Sequence, residues 1–374
     1  MTDWTLLRSE FPALRGRAYL NTAGGGVMSL RVAAAGRNYY EESLELGDIG
    51  WDRWLERSDQ DRDDVARFVG ADSENIAFLP NASLGLNILA RSLEAGSTVL
   101  AVDQEFPSCT TPFIRSGCRV EFISTNPDGY VDADMIRSKV LPGVKALVLS
   151  SVQFANGFRA DLAEIGQVCR ENSVLFLVDA TQSIGAFPLD MGSDFIDALV
   201  FSGYKWATAG YGVAVLATGG AWPSSDPPLI GWRSARNAYA LENHRLDLLP
   251  SGIGHEMGHP AFPGIFAMGE AVRLLEQADP ELTGSRILKT LSVLREGLKA
   301  RGISIRSNLD PAHQSGIVLA EFEDAGALCQ SLRTLDVWTT AREGGLRISV
   351  HGYNDITDIE RFFEALDGLR SRKG

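Results

Sequence analysis

Short apolar runs alternate with amphipathic segments along the first two thirds of the chain. The apolar runs are four or five residues long and end at polar residues, which is typical of buried strands. The segments between them, such as 84–93 and 162–170, repeat their apolar side chains at helical spacing. This alternation predicts an α/β fold with a mainly parallel, seven-stranded sheet. The predicted strands are residues 76–79, 99–102, 120–123, 146–150, 175–179, 198–201 and 213–216.

The pattern changes after residue 220. Residues 221–263 are rich in Pro, Gly and Trp, and we expect them to form a long connection over the mouth of a ligand site. A helical pattern over 265–278 follows, and the remainder mixes short apolar runs with helices. We therefore predict an N-terminal segment (1–20) that packs with the small domain and a large domain (21–250). Residues 251–374 are predicted to form a linker helix and a smaller C-terminal α+β domain.

Charge and composition exclude several classes of protein. The 374 residues carry a formal net charge of −13, which argues against nucleic acid or a membrane surface as the main partner. We find no apolar stretch long enough to span a bilayer, and the first residues lack the features of a signal peptide. The four cysteines are scattered without a CxxC pair, as expected of reduced thiols in a cytoplasmic protein.

Two strand ends carry chemically informative residues. Asp179 ends one predicted strand, and the segment Ser202-Gly203-Tyr204-Lys205 follows the next. In a parallel sheet, ligands bind at the carboxyl ends of the strands. A lysine and a carboxylate there are what pyridoxal 5'-phosphate (PLP) requires. The lysine forms a Schiff base with the cofactor, and the carboxylate keeps the pyridine nitrogen protonated. Lys205 alone would be an ordinary surface lysine, and its pairing with Asp179 is what makes the pattern specific.

Three further side chains are candidates for holding this cofactor. The segment 80–83 follows a strand and begins a helix, so Ala82 and Ser83 would lie at a helix N-terminus that attracts phosphate. The alternative for Ser83 is an ordinary N-cap. Ser202 is a second candidate for the phosphate. Gln182 is placed to hydrogen-bond the phenolic oxygen of the cofactor ring.

With these motifs the chain resembles fold-type I PLP enzymes of the class V aminotransferase family. This family includes cysteine desulfurases, selenocysteine lyases, kynureninase and isopenicillin N epimerase-like proteins. The resemblance is carried by residues 178–186 (VDATQSIGA), 202–206 (SGYKW) and 346–354 (LRISVHGYN). It implies the PLP-dependent transferase fold, PLP as cofactor and an amino acid as substrate. It also implies a homodimer whose subunits share the active site.

The resemblance assigns roles to individual positions. Phe106 matches the residue that stacks on the cofactor ring, where many relatives have a histidine that can donate a proton. Arg347 matches the arginine that binds the α-carboxylate of the substrate. His259 stands where relatives use threonine to reach the phosphate in the partner subunit. Asn21 is a further candidate for substrate binding, and the candidates at the mouth of the site are Asn21, Arg233, His259 and Arg342.

One family feature is missing. Desulfurases and selenocysteine lyases carry a catalytic cysteine on a loop before the final arginine motif, whereas residues 339–345 (TTAREGG) contain no thiol. Cys329 lies in a helical pattern and is expected in the core. Persulfide chemistry on the enzyme is therefore not expected, and an aminotransferase is the first expectation. The alternatives are a C–S or C–C lyase, an amino-acid epimerase or racemase, and a regulatory protein that binds the cofactor.

Residues 255–259 (HEMGH) match the H-E-x-x-H pattern of zinc hydrolases. That chemistry needs an α-helix, which places both histidines on one face. Gly252, Gly254, Gly258 and Pro260 oppose a helix there. A zinc hydrolase through His255 and His259 is therefore a remote alternative, and we expect no metal site.

Overall fold

The computed structural model describes residues 2–223 and 226–371, which form eleven α-helices and twelve strands. The helices are α1 (Trp4–Ser9), α2 (Leu30–Leu46), α3 (Trp51–Val69), α4 (Ala82–Ser92), α5 (Thr111–Arg115), α6 (Ala133–Lys139), α7 (Leu162–Glu171), α8 (Phe262–Ala278), α9 (Pro280–Ala300), α10 (Ala325–Arg333) and α11 (Ile356–Ser371). The strands are β1 (Ala18–Tyr19), β2 (Ile76–Leu79), β3 (Thr98–Val102), β4 (Arg119–Ile123), β5 (Val144–Ser150), β6 (Leu175–Asp179), β7 (Ala198–Ser202), β8 (Ala214–Thr218), β9 (Ile317–Glu321), β10 (Val337–Trp338), β11 (Thr340–Arg342) and β12 (Gly345–Ser349). None of the described helices combines the length and the apolar composition needed to cross a membrane.

Seven strands form the central sheet, in the order β2-β8-β7-β6-β5-β3-β4. Each coincides with a predicted apolar run to within two residues at either end, which confirms the predicted α/β fold. Within this sheet, β8 runs antiparallel to both of its neighbours. Only eleven residues join β7 to β8, too few for the crossover helix that a parallel strand would require.

The side chains of the central sheet alternate between two apolar cores. In β5, Leu147 and Leu149 pack into the core formed with α2, α3, α7 and α8. Ala146 and Val148 face the opposite core, which includes α4 and α5. Because helices cover both faces, the strands are apolar between their ends, except for the edge strand β4, whose central residue is the exposed Glu121.

The C-terminal part of the chain has its own core. The antiparallel sheet β11-β12-β9 packs its apolar face against α9, α10 and α11. The N-terminal segment joins this part, because β1 pairs with β10. The guanidinium of Arg8 also binds both carboxylate oxygens of Asp358, at 2.8 and 2.9 Å. The predicted domain boundaries near residues 20 and 250 stay a prediction.

Candidate active site

A pocket opens at the carboxyl ends of β5, β6 and β7. Asp179 ends β6, Ser202 ends β7, and Lys205 follows in the next turn. The structure therefore brings together most of the residues that the sequence singled out, together with several that it did not. The lining residues are Asn81, Ala82, Ser83, Leu86, Phe106, Ser108, Ser150, Phe154, Asp179, Thr181, Gln182, Ser202, Tyr204 and Lys205.

A larger cavity, of about 820 Å³, lies at the other end of the strands but gathers no comparable set of reactive groups. Its buried carboxylate, Asp197, accepts hydrogen bonds from the backbone amides of Phe176 (2.8 Å) and Ala221 (2.6 Å). Both carboxylate oxygens therefore have protein partners, and the cavity contains no lysine. The chemistry is concentrated at the carboxyl ends of the strands.

Lys205 is a buried lysine without a hydrogen-bonding partner among the described residues. The residue is 9% exposed, and its Nζ lies 5.8 Å from the ring centre of Phe106 and 5.4 Å from that of Tyr204. Burial lowers the pKa of Lys205 from 10.5 to about 8, although the nearby Asp179 acts in the opposite direction. The amine is therefore readily deprotonated, as a nucleophile or general base requires.

Asp179 is a buried carboxylate that forms no ion pair within 4 Å among the described residues. Its Oδ1 accepts a hydrogen bond from the amide of Thr181 at 2.8 Å. Its Oδ2 accepts one from the thiol of Cys109 at 3.5 Å. Burial raises the pKa of Cys109 well above its usual value, so the thiol keeps its proton and acts as a donor. A carboxylate held in this way fits opposite a protonated ring nitrogen.

A second buried carboxyl group lies behind Asp179. Glu105 accepts hydrogen bonds from the amide of Ser150 (2.7 Å), the hydroxyl of Ser150 (2.5 Å) and the amide nitrogen of Gln153 (2.8 Å). Burial raises the pKa of Glu105. Ser150 lies 3.7 Å from the thiol of Cys109, which links Glu105 to Asp179. Sequence reasoning missed this network, and the only signal was an acidic residue directly before Phe106.

The opposite end of the pocket is suited to an anion. The hydroxyl of Ser202 accepts a hydrogen bond from the amide of Ala82 at 3.2 Å, which ties β7 to the start of α4. Asn81 caps this helix by accepting from the amide of Leu84, so Ser83 is not the N-cap. The Ser83 hydroxyl instead contacts that of Ser108 at 2.9 Å, in an exposed position. A helix N-terminus with hydroxyl groups fits a phosphate.

Arg347 is a buried arginine for which the described residues supply no carboxylate. It is 2% exposed, its Nη1 donates to the carbonyl of Phe154 at 2.6 Å, and its Nε has no partner. Burial lowers the pKa of Arg347 to about 10, so the guanidinium stays charged near neutral pH. A buried charge of this kind is costly unless a ligand pairs with it.

Comparison with known proteins identifies the family. The family model for aminotransferase class-V matches residues 18–325. The chain belongs to the class V aminotransferase family. A probable cysteine desulfurase of Pyrococcus abyssi is 26% identical over 343 residues, covering 84% of this chain and 83% of the relative.

Solved structures agree with the family assignment. The apo cysteine desulfurase of Thermococcus onnurineus superposes with a TM-score of 0.90 at 21% identity, covering 99% of this chain and 98% of the other. A cystine C–S lyase solved with cysteine persulfide gives 0.87 at 23% identity, covering 95% and 98%. The fold is PLP-dependent fold type I, and the cofactor of this class V enzyme is PLP. The lysine, the carboxylate and the anion site described above fit that cofactor.

Some predicted site residues of this class V enzyme lie outside the pocket. The ring of His259 packs against Trp51 and Trp232, at centroid distances of 5.4 and 5.1 Å. Arg233 lies 3.8 Å from a carboxylate oxygen of Glu256. None of the described residues of 221–263 lines the pocket, so the described part of this segment does not form the expected cover over the mouth of its own pocket. The contact of His259 with the phosphate in a partner subunit stays a prediction.

Gln182 lines the pocket, whereas Asn21 does not, and both side chains already have hydrogen-bonding partners. The oxygen of the Gln182 amide accepts from the indole of Trp206 at 2.7 Å, and its nitrogen donates to the carbonyl of Ala23 at 3.1 Å. A second hydrogen of this nitrogen is left for the cofactor, so the predicted contact stays a prediction. Asn21 accepts from the hydroxyl of Thr340, close to Arg347.

The segment that matched the zinc pattern is not an α-helix. Gly252–His255 is a 3₁₀ helix that ends before Glu256. Glu256 accepts hydrogen bonds from Arg62 (2.6 Å) and the amide of Phe78 (2.9 Å), so it braces β2. In the described part of the chain, no three His, Cys, Asp or Glu side chains are grouped as metal ligands. The geometry that the zinc alternative requires is absent from this segment.

The segment where desulfurases carry a cysteine forms a tight hairpin in this enzyme. Arg342 pairs with Gly345, so Glu343 and Gly344 alone make the turn between β11 and β12. Their φ angles are 49° and 70°, the combination that a type I′ turn requires. All four cysteines of the chain are buried, and Cys329 contacts Thr339 within the C-terminal core. The hairpin therefore offers no thiol to the pocket.

Proposed function

We propose that this class V enzyme is a PLP-dependent C–S lyase for cysteine-derived amino acids, acting without a thiol of its own. The net reaction is R–S–CH2–CH(NH3+)–COO− + H2O → R–SH + pyruvate + NH4+. The observation that carries the proposal is the two-residue turn at Glu343 and Gly344. Because this turn carries no thiol, and the thiol of Cys109 is buried and donates to Asp179, the sulfur leaves with its own substituent.

Lys205 is the proposed base. Bound PLP supplies an electron sink that makes the Cα–H bond of the substrate acidic. The amine of Lys205, whose pKa burial lowers to about 8, takes the Cα proton. Asp179 holds the proton on the ring nitrogen, and the hydrogen bonds from Thr181 and Cys109 fix its position. The electron pair of the former Cα–H bond forms a Cα=Cβ double bond, and the electron pair of the Cβ–S bond leaves with the sulfur. Water then hydrolyses the released enamine to pyruvate and ammonium.

Arg347 is the proposed binding group for the α-carboxylate. Its hydrogen bond to Phe154, a residue that lines the pocket, holds the guanidinium near the site. A bidentate pair with the substrate carboxylate would satisfy the free Nε and neutralise the buried charge. This pairing also fixes the orientation of Cα relative to Lys205.

Phe106 supports sulfur as the leaving atom. Its ring can stack on the cofactor, but it cannot protonate a leaving group. A thiolate, with a pKa of about 8.5, leaves without the help of an acid far more readily than a carbanion or an alkoxide. A pocket with phenylalanine at this position therefore suits C–S cleavage better than C–C cleavage.

The similarity to a cystine C–S lyase and to desulfurases supports this proposal over transamination, the first expectation from the sequence. Transamination would use the same Lys205 and Arg347, so an amino-acid screen must separate the two. Release of pyruvate and thiol from S-substituted cysteines supports lysis. Accumulation of the pyridoxamine form of the cofactor without pyruvate contradicts it. Lys205→Ala should abolish turnover, whereas Lys289→Ala, at an exposed position of helix α9, should not.

The proposal includes a homodimer in which His259 serves the pocket of the partner subunit. This would explain why His259 lies outside the pocket of its own chain. Sedimentation or light scattering would give the oligomeric state. Mixing Lys205→Ala subunits with His259→Ala subunits tests the shared site, because a mixed dimer would contain one fully intact pocket. Mixing should then give more activity than either variant alone, and no gain would contradict the contact.

A further inference from the structure

We infer that Arg342 forms a second anion subsite, so that the preferred substrates are amino acids with a second carboxylate at the far end of the side chain. The inference deepens the proposed function and rests on it only for the position of the α-carboxylate at Arg347. It is carried by the strand register, by the surroundings of Arg342 and by the charge of the pocket.

The register of the hairpin places both arginines on one face. In the antiparallel pair β11–β12, Thr340 lies opposite Arg347 and Arg342 lies opposite Gly345. Side chains of directly opposed residues share a face, and so do those two positions apart on one strand. Arg342, Thr340 and Arg347 therefore project to the same side. The other side carries Leu346 and Ile348, which are buried in the C-terminal core.

The contacts of this face point toward the pocket. Arg347 donates to the carbonyl of Phe154, and the guanidinium carbon of Arg342 lies 6.0 Å from the centre of the Phe154 ring. Phe154 lines the pocket and meets the ring of Phe106 edge to face at 5.4 Å. Arg342 therefore lies at the rim, diagonally across the sheet from Arg347.

Both guanidinium groups lack an acidic partner among the described residues. No ion pair involves Arg342, although most of the other exposed arginines have one. Burial lowers the pKa of Lys205 most, and the charges of Arg347 and Arg342 lower it further. The positive charges of both arginines therefore act on the Lys205 amine. In a chain of net charge −13, this rim is locally positive. The α-carboxylate of a substrate would pair with only one of these two guanidinium groups, which leaves the other for a second carboxylate.

Charge and position together define the ligand class. Arg347 is buried and suits the α-carboxylate, while Arg342 is exposed at the mouth and suits a group at the end of the side chain. A planar guanidinium at the rim selects a carboxylate over a neutral or cationic group. S-carboxymethylcysteine is such an amino acid, whereas S-propylcysteine has a similar length but no distal charge.

Unreactive acids test the subsite separately from catalysis. Isothermal titration of the purified holoenzyme would compare succinate and glutarate with butyrate and pentanoate, the monocarboxylates of equal length. We expect each dicarboxylate to bind at least about tenfold more tightly than its partner, the effect of one charged hydrogen bond. Arg342→Gln should remove this difference and leave monocarboxylate binding unchanged. Arg342→Lys, which keeps the charge, should retain part of it.

Arg91→Gln is the matched control, because it removes an exposed positive charge at the far end of α4. The inference is overturned if wild type binds both classes of acid equally. It is also overturned if Arg342→Gln and Arg91→Gln weaken dicarboxylate binding alike. Pyruvate release from S-carboxymethylcysteine and S-propylcysteine is measured separately. If neither is cleaved, the lyase proposal fails, while the titration still decides whether the subsite exists.

Discussion

Gly26 packs directly against the backbone of Lys205. A Cβ atom at residue 26 would lie 2.0 Å from the Lys205 carbonyl oxygen, and the amide of Gly26 donates to the carbonyl of Tyr204 at 2.8 Å. The φ angle of Gly26 is not left-handed, so its backbone conformation does not require glycine. Glycine is required because there is no space for a side chain. The N-terminal loop thus fixes the turn that presents Lys205 to the pocket.

Gly26→Ala should disturb this turn. We expect the free energy of unfolding to fall by about 1 to 3 kcal/mol, because the added methyl group overpacks the contact. The visible absorption of the bound cofactor should weaken at the same time, because Lys205 is displaced. Urea denaturation and absorbance spectra measure the two effects. Gly368→Ala, in open space on α11, should be neutral or slightly stabilising.

The pKa of Lys205 predicts how cofactor uptake depends on pH. Only the unprotonated amine attacks the aldehyde of PLP, and burial lowers the pKa of Lys205 to about 8. The rate of uptake by the apoprotein should therefore rise with pH through about 8 and level off above it. Stopped-flow absorbance over this range gives the midpoint. A midpoint near 10.5, the value for an ordinary lysine, would contradict the effect of burial.

Arg347→Gln should weaken substrate binding without lowering the stability of the protein. Removing a buried charge without a counter-charge is expected to leave the unfolding free energy unchanged or to raise it by about 1 kcal/mol. The KM for the amino-acid substrate should rise on the order of 100-fold, because a charged, bidentate contact is lost. Urea denaturation of the apoprotein and steady-state kinetics check this. A large loss of stability would instead indicate a structural role for Arg347.

The thiol of Cys109 should hold Asp179 in place. Cys109→Ala removes the donor to the Asp179 carboxylate, and we expect PLP to dissociate about threefold faster, the effect of one weak hydrogen bond. Cys109→Ser keeps a donor and should release PLP at close to the wild-type rate. Cys169→Ala, a buried thiol away from the pocket, controls for the loss of packing. Equal release rates from all three variants would mean that Cys109 has no such role.

The central fold was accessible from sequence because a sheet covered on both faces consists mostly of short apolar runs, broken by Glu121 in the edge strand β4. These runs located all seven strands, from Ile76–Leu79 to Ala214–Thr218. They could not give the direction of β8, since parallel and antiparallel buried strands have the same composition. The direction of β8 could have been inferred from the connection after Ser202, which is too short for the crossover helix of a parallel strand.

The site was predictable where a residue type follows a strand, as with Asp179, Ser202 and Lys205. It was not predictable where side chains meet through folding alone. Glu105, Cys109 and Ser150 come from three separate segments, and nothing local indicates that they form one network. His259 was assigned by its position in the family motif. Its contact with a phosphate depends on how two subunits assemble, and the local sequence does not specify that assembly.

The two-residue turn at Glu343 and Gly344 has a consequence for the robustness of the enzyme. Thiol-dependent catalysts lose activity when oxidants or alkylating agents reach their nucleophile. Here the hairpin brings no sulfur to the mouth of the pocket, and the four cysteines are buried. An oxidant or alkylating agent in solution therefore meets no exposed thiol at this site.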